Sequence, residues 1–317
     1  MDPHLYPLPH DSPFRPFTQS RLYRTGLENV AVRPNGNLLV TRADVPELWD
    51  VNPFTGSGTL IHDFTSPTTN SLVGVAEYED NVFAVAGGTI NLTTVEGSPG
   101  TWGVWKVDMR KKAGAAVDLI TMIPDGIFLN GMTALPPTEE RKNAGNGSTV
   151  LVGDSTAGVI YAVSPSSGTY SHFYSDPTTM LPPPNTRIPL GINGIQLSQG
   201  NRANYLYYTS TTLGSFYRVS LNKSNAVDGS PVLLSSAHPS GLDDFAVTKN
   251  GIAYLTTNTG NTVVRRDADG TENTIGGDGT TETVFAGATA AQLGRTRVDR
   301  HVLYVSTAEG RVVAIGV

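Results

Sequence analysis

The chain has 317 residues, a formal charge of −6 and only 16% charged side chains, against 34 Gly, 21 Pro and no Cys. Sparse charge and frequent helix breakers exclude helical bundles and coiled coils, and the lack of cysteine excludes disulfides, thiolate metal sites and cysteine nucleophiles. The mild acidity, with no basic cluster beyond Arg110-Lys111-Lys112, argues against a nucleic-acid partner, and no apolar run reaches the ~18 residues of a membrane-spanning helix.

Residues 1–17 hold five prolines without periodicity and read as an extended lead-in. They include no basic or hydrophobic signal region, so the chain is either intracellular or lacks a signal peptide already removed. Ser20-Arg21-Leu22-Tyr23-Arg24 is strand-like. From about residue 27, β-type segments of four to seven residues alternate with Gly, Pro, Asn and Asp. They include Asn29-Val30-Ala31-Val32, Leu38-Leu39-Val40-Thr41, Val82-Phe83-Ala84-Val85, Val150-Leu151-Val152-Gly153, Tyr205-Leu206-Tyr207-Tyr208, Ala253-Tyr254-Leu255-Thr256 and Val302-Leu303-Tyr304-Val305. The order repeats: an opening strand, a turn such as Arg33-Pro34-Asn35-Gly36 or Thr248-Lys249-Asn250-Gly251, then a second strand ending in Thr or Ser. Openings fall near Glu28, Gly74, Asn130, Asn193, Asp243 and Thr289, at spacings of 46, 56, 63, 50 and 46.

Six units of this length predict an all-β fold, a six-bladed β-propeller with four-stranded blades. The last unit has room for about three strands, so an N-terminal strand, placed at residues 20–24, is expected to complete it and close the ring. One propeller domain spans 1–317, and the Pro-rich stretch 181–185 reads as an interblade loop rather than a linker. Gly276-Gly277-Asp278-Gly279 reads as a hairpin loop, since no helix follows it to bind phosphate.

Inner strands of a propeller begin around one end of a central channel, so their first residues are the natural site candidates. A carboxylate or carboxamide stands there in four of six units: Glu28-Asn29, Asn130, Asn193 and Asp243-Asp244. As Asn and Asp also favour turns, a non-enzymatic binding scaffold is one reading of this pattern. The six His residues, at 4, 10, 62, 172, 238 and 301, show no zinc spacing; His238, near Asp243, is the one beside a predicted mouth. Nucleophile-elbow, P-loop and dinucleotide-binding motifs are absent.

These openings resemble the SMP-30/gluconolactonase superfamily of six-bladed propellers, in which a Glu, two Asn and an Asp from separate blades hold a divalent cation for lactone hydrolysis. The resemblance places those roles on Glu28, Asn130, Asn193 and Asp243, with Leu242-Asp243-Asp244 departing from the usual Pro-Asp-Gly. A fungal branch that includes hetero-Diels–Alderases is more similar still, through Glu28-Asn29-Val30-Ala31-Val32-Arg33, Leu129-Asn130-Gly131-Met132-Thr133, Leu190-Gly191-Ile192-Asn193-Gly194-Ile195, Asp243-Asp244-Phe245-Ala246 and Leu293-Gly294-Arg295-Thr296. That branch implies cycloaddition of a tropolone- or phenol-derived quinone methide with a medium-ring terpene alkene, without cofactor.

In the cycloaddition reading Glu28, Asn130, Asn193, Asp243 and Asp244 are catalytic, with Glu28 or Asp243 as general acid/base. Asn29, Trp102, Phe128, Met132, Tyr208 and Phe245 bind apolar small-molecule substrates. The alternative is a metal-dependent lactonase or esterase in which Glu28, Asn130, Asn193 and Asp243 hold one divalent cation, Ca²⁺ first among them. The branch also implies secretion and a signal peptide removed from this sequence, and the protein is expected to be a monomer. Sequons at Asn91, Asn146 and Asn222 occur no more often than chance supplies.

Overall fold

A computed structural model of the protein describes residues 17–18, 26–111, 114–143, 147–199, 204–239, 241–277 and 286–317. Six four-stranded antiparallel sheets form the blades of a propeller, five of them running from an inner strand outward in chain order and the sixth closed by an N-terminal strand. The six inner strands are Leu27–Val32, Ser71–Glu79, Leu129–Leu135, Ile192–Gln199, Phe245–Val247 and Ala288–Leu293. They coincide with the six openings expected from sequence. Ring closure by an N-terminal strand also holds, three residues earlier than expected: Phe17–Thr18 pairs with Val312 and Arg311 as the outermost strand of blade 6. Residues 20–24 and most of the lead-in lie outside the described residues.

Burial falls from the channel outward. Every residue of Val82–Gly88, the second strand of blade 2, is buried, whereas Ser57–Asp63, the outer strand of blade 1, is almost wholly exposed. The buried apolar side chains group into six clusters, each joining two neighbouring blades. The core is therefore a ring of interblade wedges, and the axis is left to the inner strands.

Among the described residues two short helices, Glu139–Asn143 and Pro177–Met180, sit in connections, and no helix is long and apolar enough to cross a membrane. Residues 181–185 belong to the connection between blades 3 and 4. Of the hairpin expected at 276–279, Gly276 ends the strand Glu272–Gly276 and the tip is outside the described residues. The Asn91 and Asn222 side chains cap their own surface turns through Thr93 N and Ser224 N; Asn146 is not among the described residues.

Candidate active site

Five of the six inner strands carry a register break at their opening: between Leu27 and Val30, Leu72 and Val75, Leu129 and Met132, Ile192 and Ile195, and Ala288 and Ala290. Each inserts one extra residue, and a bulge of this kind re-aims side chains that a regular ladder would alternate across the sheet. The Thr or Ser expected at the end of the second strand stabilises several of these breaks. Thr41 Oγ1 accepts the Asn29 N–H at 3.0 Å and donates to Val73 O in the next blade at 2.6 Å. Thr209 does the same between Gly194 N and Asp243 O.

Each break splits two adjacent residues between two jobs, and Asp243-Asp244 of blade 5, just before a strand without such a break, divides in the same way. The first of each pair, Glu28, Val73, Asn130, Asn193, Asp243 and Thr289, one from every blade, lines a cavity of about 310 Å³ at the strand starts. The second forms the layer beneath: Asn29, Gly74, Gly131, Gly194, Asp244 and Ala290. A Cβ at Gly74 would lie 2.2 Å from Asn130 O, and one at Gly131 2.3 Å from Asn193 O, so glycine is what lets adjacent inner strands touch. Across this layer Asn29 Nδ2 donates to Asp244 Oδ2 at 2.8 Å, bridging blades 1 and 5. Asn29 Oδ1 and Asp244 Oδ1 accept the N–H of the residue that follows each. This pair divides the channel, and neither residue lines the cavity.

Above the partition one buried acceptor has no partner among the described residues. The Asn193 Nδ2 group donates to Thr211 Oγ1 at 2.9 Å, and Thr211 Oγ1 in turn donates to Leu242 O. That relay fixes the carboxamide orientation and leaves Asn193 Oδ1 buried without a hydrogen bond in a side chain only 3% exposed. Buried acceptors left in this state are rare. Asp243 Oδ2 accepts from Asn258 Nδ2 at 2.9 Å. Burial, with help from the charge of Asp244, pushes the Asp243 carboxyl up to about 7 against the hydrogen bonds from Asn258 and Asn193. Burial likewise lifts Asp244 to about 6 and, with the charges of Asp243 and Asp244, raises Glu28 well above the ordinary glutamate range.

The walls are apolar: Leu27, Ile90, Leu92, Val95, Phe128 and Leu190. Ile90–Asn91 and Glu96–Gly97 pair as a small ribbon within blade 2 that brings Leu92, 53% exposed, and Val95 to the mouth. Val95 has φ +58°, a strained setting for a β-branched residue.

Of the wall candidates read from sequence, Phe128 reaches this cavity. Met132 lines a different cavity at the strand ends. Trp102 is fully buried and stacks on Phe128 with centroids 5.4 Å apart. Tyr208 stacks on Tyr217 and bonds Thr179 Oγ1, and Phe245 packs edge-on against Phe216. All three belong to the interblade wedges. His238 bonds Ser235 and faces Glu272 through the same Nε2, away from the cavity.

Sequence reasoning missed Asp44, Asn258 and the ribbon. Asp44 lines the cavity with its carboxylate clamped by both Nε and Nη2 of the buried Arg42. A signal existed for Asp44 and Asn258, because an antiparallel second strand must end beside the start of its inner partner.

No family model matches the chain. It is 26% identical over 89% of its length, and 75% of the relative, to the "Putative hetero-Diels-Alderase asR5" of Sarocladium schorii. A "Putative hetero-Diels-Alderase" of a Phoma species is also 26% identical, over 89% of this chain and 83% of that one. The crystal structure of the calcium-binding protein regucalcin from Agrobacterium tumefaciens superposes with a TM-score of 0.65 at 17% identity, covering 96% and 94% of the two chains. By fold the chain stands with the regucalcin-like six-bladed propellers, and by sequence with the fungal proteins named as hetero-Diels-Alderases.

Proposed function

We propose that the protein is an enzyme that joins a tropolone- or phenol-derived quinone methide to a medium-ring terpene alkene in an intermolecular hetero-Diels–Alder cycloaddition. The observation that carries this reading is the similarity along 89% of the chain to two proteins named for that activity. The strand-start cavity supports it with apolar walls around a few convergent polar groups, the usual build of a small-molecule site.

Glu28 is the general acid of this reading and Asp243 the base. A hydroxymethyl precursor gives its ring-hydroxyl proton to Asp243, while its benzylic hydroxyl leaves as water with the proton of Glu28. Return of a proton from Asp243 to Glu28 resets the pair. The quinone methide then adds across the alkene with one C–C and one C–O bond formed and no atom lost. Asn193 Oδ1 accepts from a substrate hydroxyl, and the Asn130 carboxamide donates to the quinone-methide oxygen, where charge develops. Holding both partners against Phe128, Leu190 and the ribbon supplies orientation, which contributes about 7–11 kcal/mol in favourable cases.

One observation favours a second reading, metal-dependent hydrolysis of a lactone or ester. Asn193 Oδ1, without a hydrogen bond among the described residues, shares its cavity with Asn130 and the carboxyl groups of Glu28 and Asp243, a donor set that fits a hard divalent cation such as Ca²⁺. Glu28, Asn130, Asn193 and Asp243 would hold it, and when bound it supplies polarisation of the substrate carbonyl. In that case Glu28 and Asp243 act as ionised ligands, and Asn258 and Thr211 orient Asp243 and Asn193.

Metal analysis by mass spectrometry, on protein purified without chelator or a nickel column, is paired with assays of both reactions. Substoichiometric metal and cycloadduct from a quinone-methide precursor with a medium-ring alkene support the cycloaddition. Stoichiometric metal with lactone turnover and no cycloadduct overturns it.

A further inference from the structure

The channel has a second cavity, of about 460 Å³, at the other end of the same six strands and beyond the Asn29–Asp244 partition. Lys249 and Arg295 stand at its wall, with Glu77 as the only acidic side chain among the described residues that line it. Both Glu77 oxygens are engaged: Oε1 accepts the Asn81 N–H at 2.7 Å and Oε2 pairs with Arg295 Nη1. The same Nη1 donates to Val32 O at 3.2 Å, which anchors the guanidinium and leaves Nε and Nη2 without a partner among the described residues. Lys249, exposed at the tip of the Thr248–Gly251 turn, has no hydrogen bond or ion pair among the described residues. In a chain of net charge −6 this end of the channel therefore carries an excess positive charge. Gln196 and Gln292 add neutral polar groups, and Val32, Val75, Met132 and Leu293 give the wall apolar patches.

We propose that the strand-end cavity binds a small amphipathic organic anion, its carboxylate or phosphate head held by Lys249 and Arg295 and its carbon body lying on the apolar patches. Arginine presents paired N–H donors that match either head group, and a lysine ammonium adds a point charge. The site is separate from the strand-start cavity and does not depend on the reaction proposed there.

Titration calorimetry on the full chain with hexanoate, hexyl phosphate and inorganic phosphate tests this. Saturable binding of hexanoate, hexyl phosphate or both is expected, the tighter of the two identifying the head group, with inorganic phosphate weaker than the phosphate ester. Lys249→Met removes an exposed side chain that makes no hydrogen bond or ion pair among the described residues, so folding is not at stake, and it is expected to weaken binding about tenfold, the loss of roughly 1.4 kcal/mol. Added salt is expected to weaken binding as well. Asp243→Asn, at the opposite end, is expected to leave the affinity unchanged. The proposal falls if neither amphipathic probe binds, if Lys249→Met binds as tightly as the unaltered chain, or if Asp243→Asn removes the binding.

Discussion

The two ends of the channel are built from the same six strands and have opposite chemistry. Among the described residues, Glu28, Asp44 and Asp243 line the cavity at the strand starts with no basic side chain, whereas at the strand ends Lys249 and Arg295 are joined by one acidic side chain, Glu77. Between them the layer of Asn29, Gly74, Gly131, Gly194, Asp244 and Ala290 is tight enough that a Cβ cannot be added at its glycines without displacing neighbouring atoms. Residues adjacent in sequence, such as Asp243 and Asp244, thus serve a cavity and a partition respectively. A propeller separates site chemistry from stability over one residue, and variants on either side of that line break or sharpen the contrast.

The largest effect is expected at Gly131→Ala, whose Cβ would meet Asn193 O, Gly194 Cα and Ile195 N at 2.3, 2.7 and 2.8 Å, all backbone atoms. Loss of more than about 4 kcal/mol, or failure to fold, is expected in urea denaturation, while Gly147→Ala, with nothing within 4 Å, stays within about 0.5 kcal/mol. A mild Gly131→Ala phenotype would show that the layer is not close-packed.

Next come the paired aspartates. Asp244→Ala strands the buried Asn29 Nδ2 and the Phe245 N–H, at an expected cost of about 3 kcal/mol. Asp243→Asn is expected to abolish turnover while moving Tm by no more than a few degrees. Equal stability losses in the two variants would erase the distinction between cavity and partition. Phe245→Ala belongs with the partition side: it opens an interblade wedge at a cost of about 3–5 kcal/mol and reports nothing about substrate, whereas Phe128 borders the cavity.

Stability is expected to depend on pH with an unusual sign. The folded chain raises Asp243 to about 7 and Asp244 to about 6 from an unfolded value of 3.8, so it binds protons more tightly than the unfolded chain between those limits. The contribution of these groups is fully present below about pH 4 and is lost as pH rises through 6 to 7, with a slope of up to about 1.4 kcal/mol per pH unit for each proton. Thermal denaturation from pH 5 to 8 checks this, and Asp243→Asn is expected to flatten the curve. If millimolar Ca²⁺ restored the stability lost at pH 8 in the unaltered chain but not in Asp243→Asn, the metal reading would gain over the acid/base one.

The smallest expected effect on stability is at the ribbon. Leu92 is half exposed, so Leu92→Ala should change stability by no more than about 0.5 kcal/mol. Its effect should appear as weaker binding of an apolar substrate, read as a raised KM; an unchanged KM would remove the ribbon from the binding wall.

Much of the fold was legible because strands and turns are local. Alternation, β-branched content and turn residues marked all six inner strands, and the short sixth unit required closure from the N-terminus. The lining of the candidate cavity was legible at Glu28, Asn130, Asn193, Asp243 and Phe128, since converging strand starts bring them together in any propeller. The aromatic walls were not: Trp102, Tyr208 and Phe245 lie close in sequence to strand ends or starts, but interblade wedges need large side chains and take them into the core. Nor did any local pattern mark the ribbon at 89–98 as a wall of the cavity.

Sequence periodicity alone decided the number of blades, their order and which residues open them, because each depends on contacts within about 60 residues. Which of two neighbouring polar residues faces a ligand and which bonds across the channel was decided only in three dimensions. The Asn29–Asp244 contact joins residues 215 apart, and the bulges that turn Glu28, Asn130 and Asn193 toward the cavity bring them together only once six strands surround one axis. The opposite charges of the two cavities have the same origin. Lys249 and Arg295, 46 residues apart and unremarkable as a pair in the sequence, are gathered by closure of the ring at the end away from the carboxyl groups.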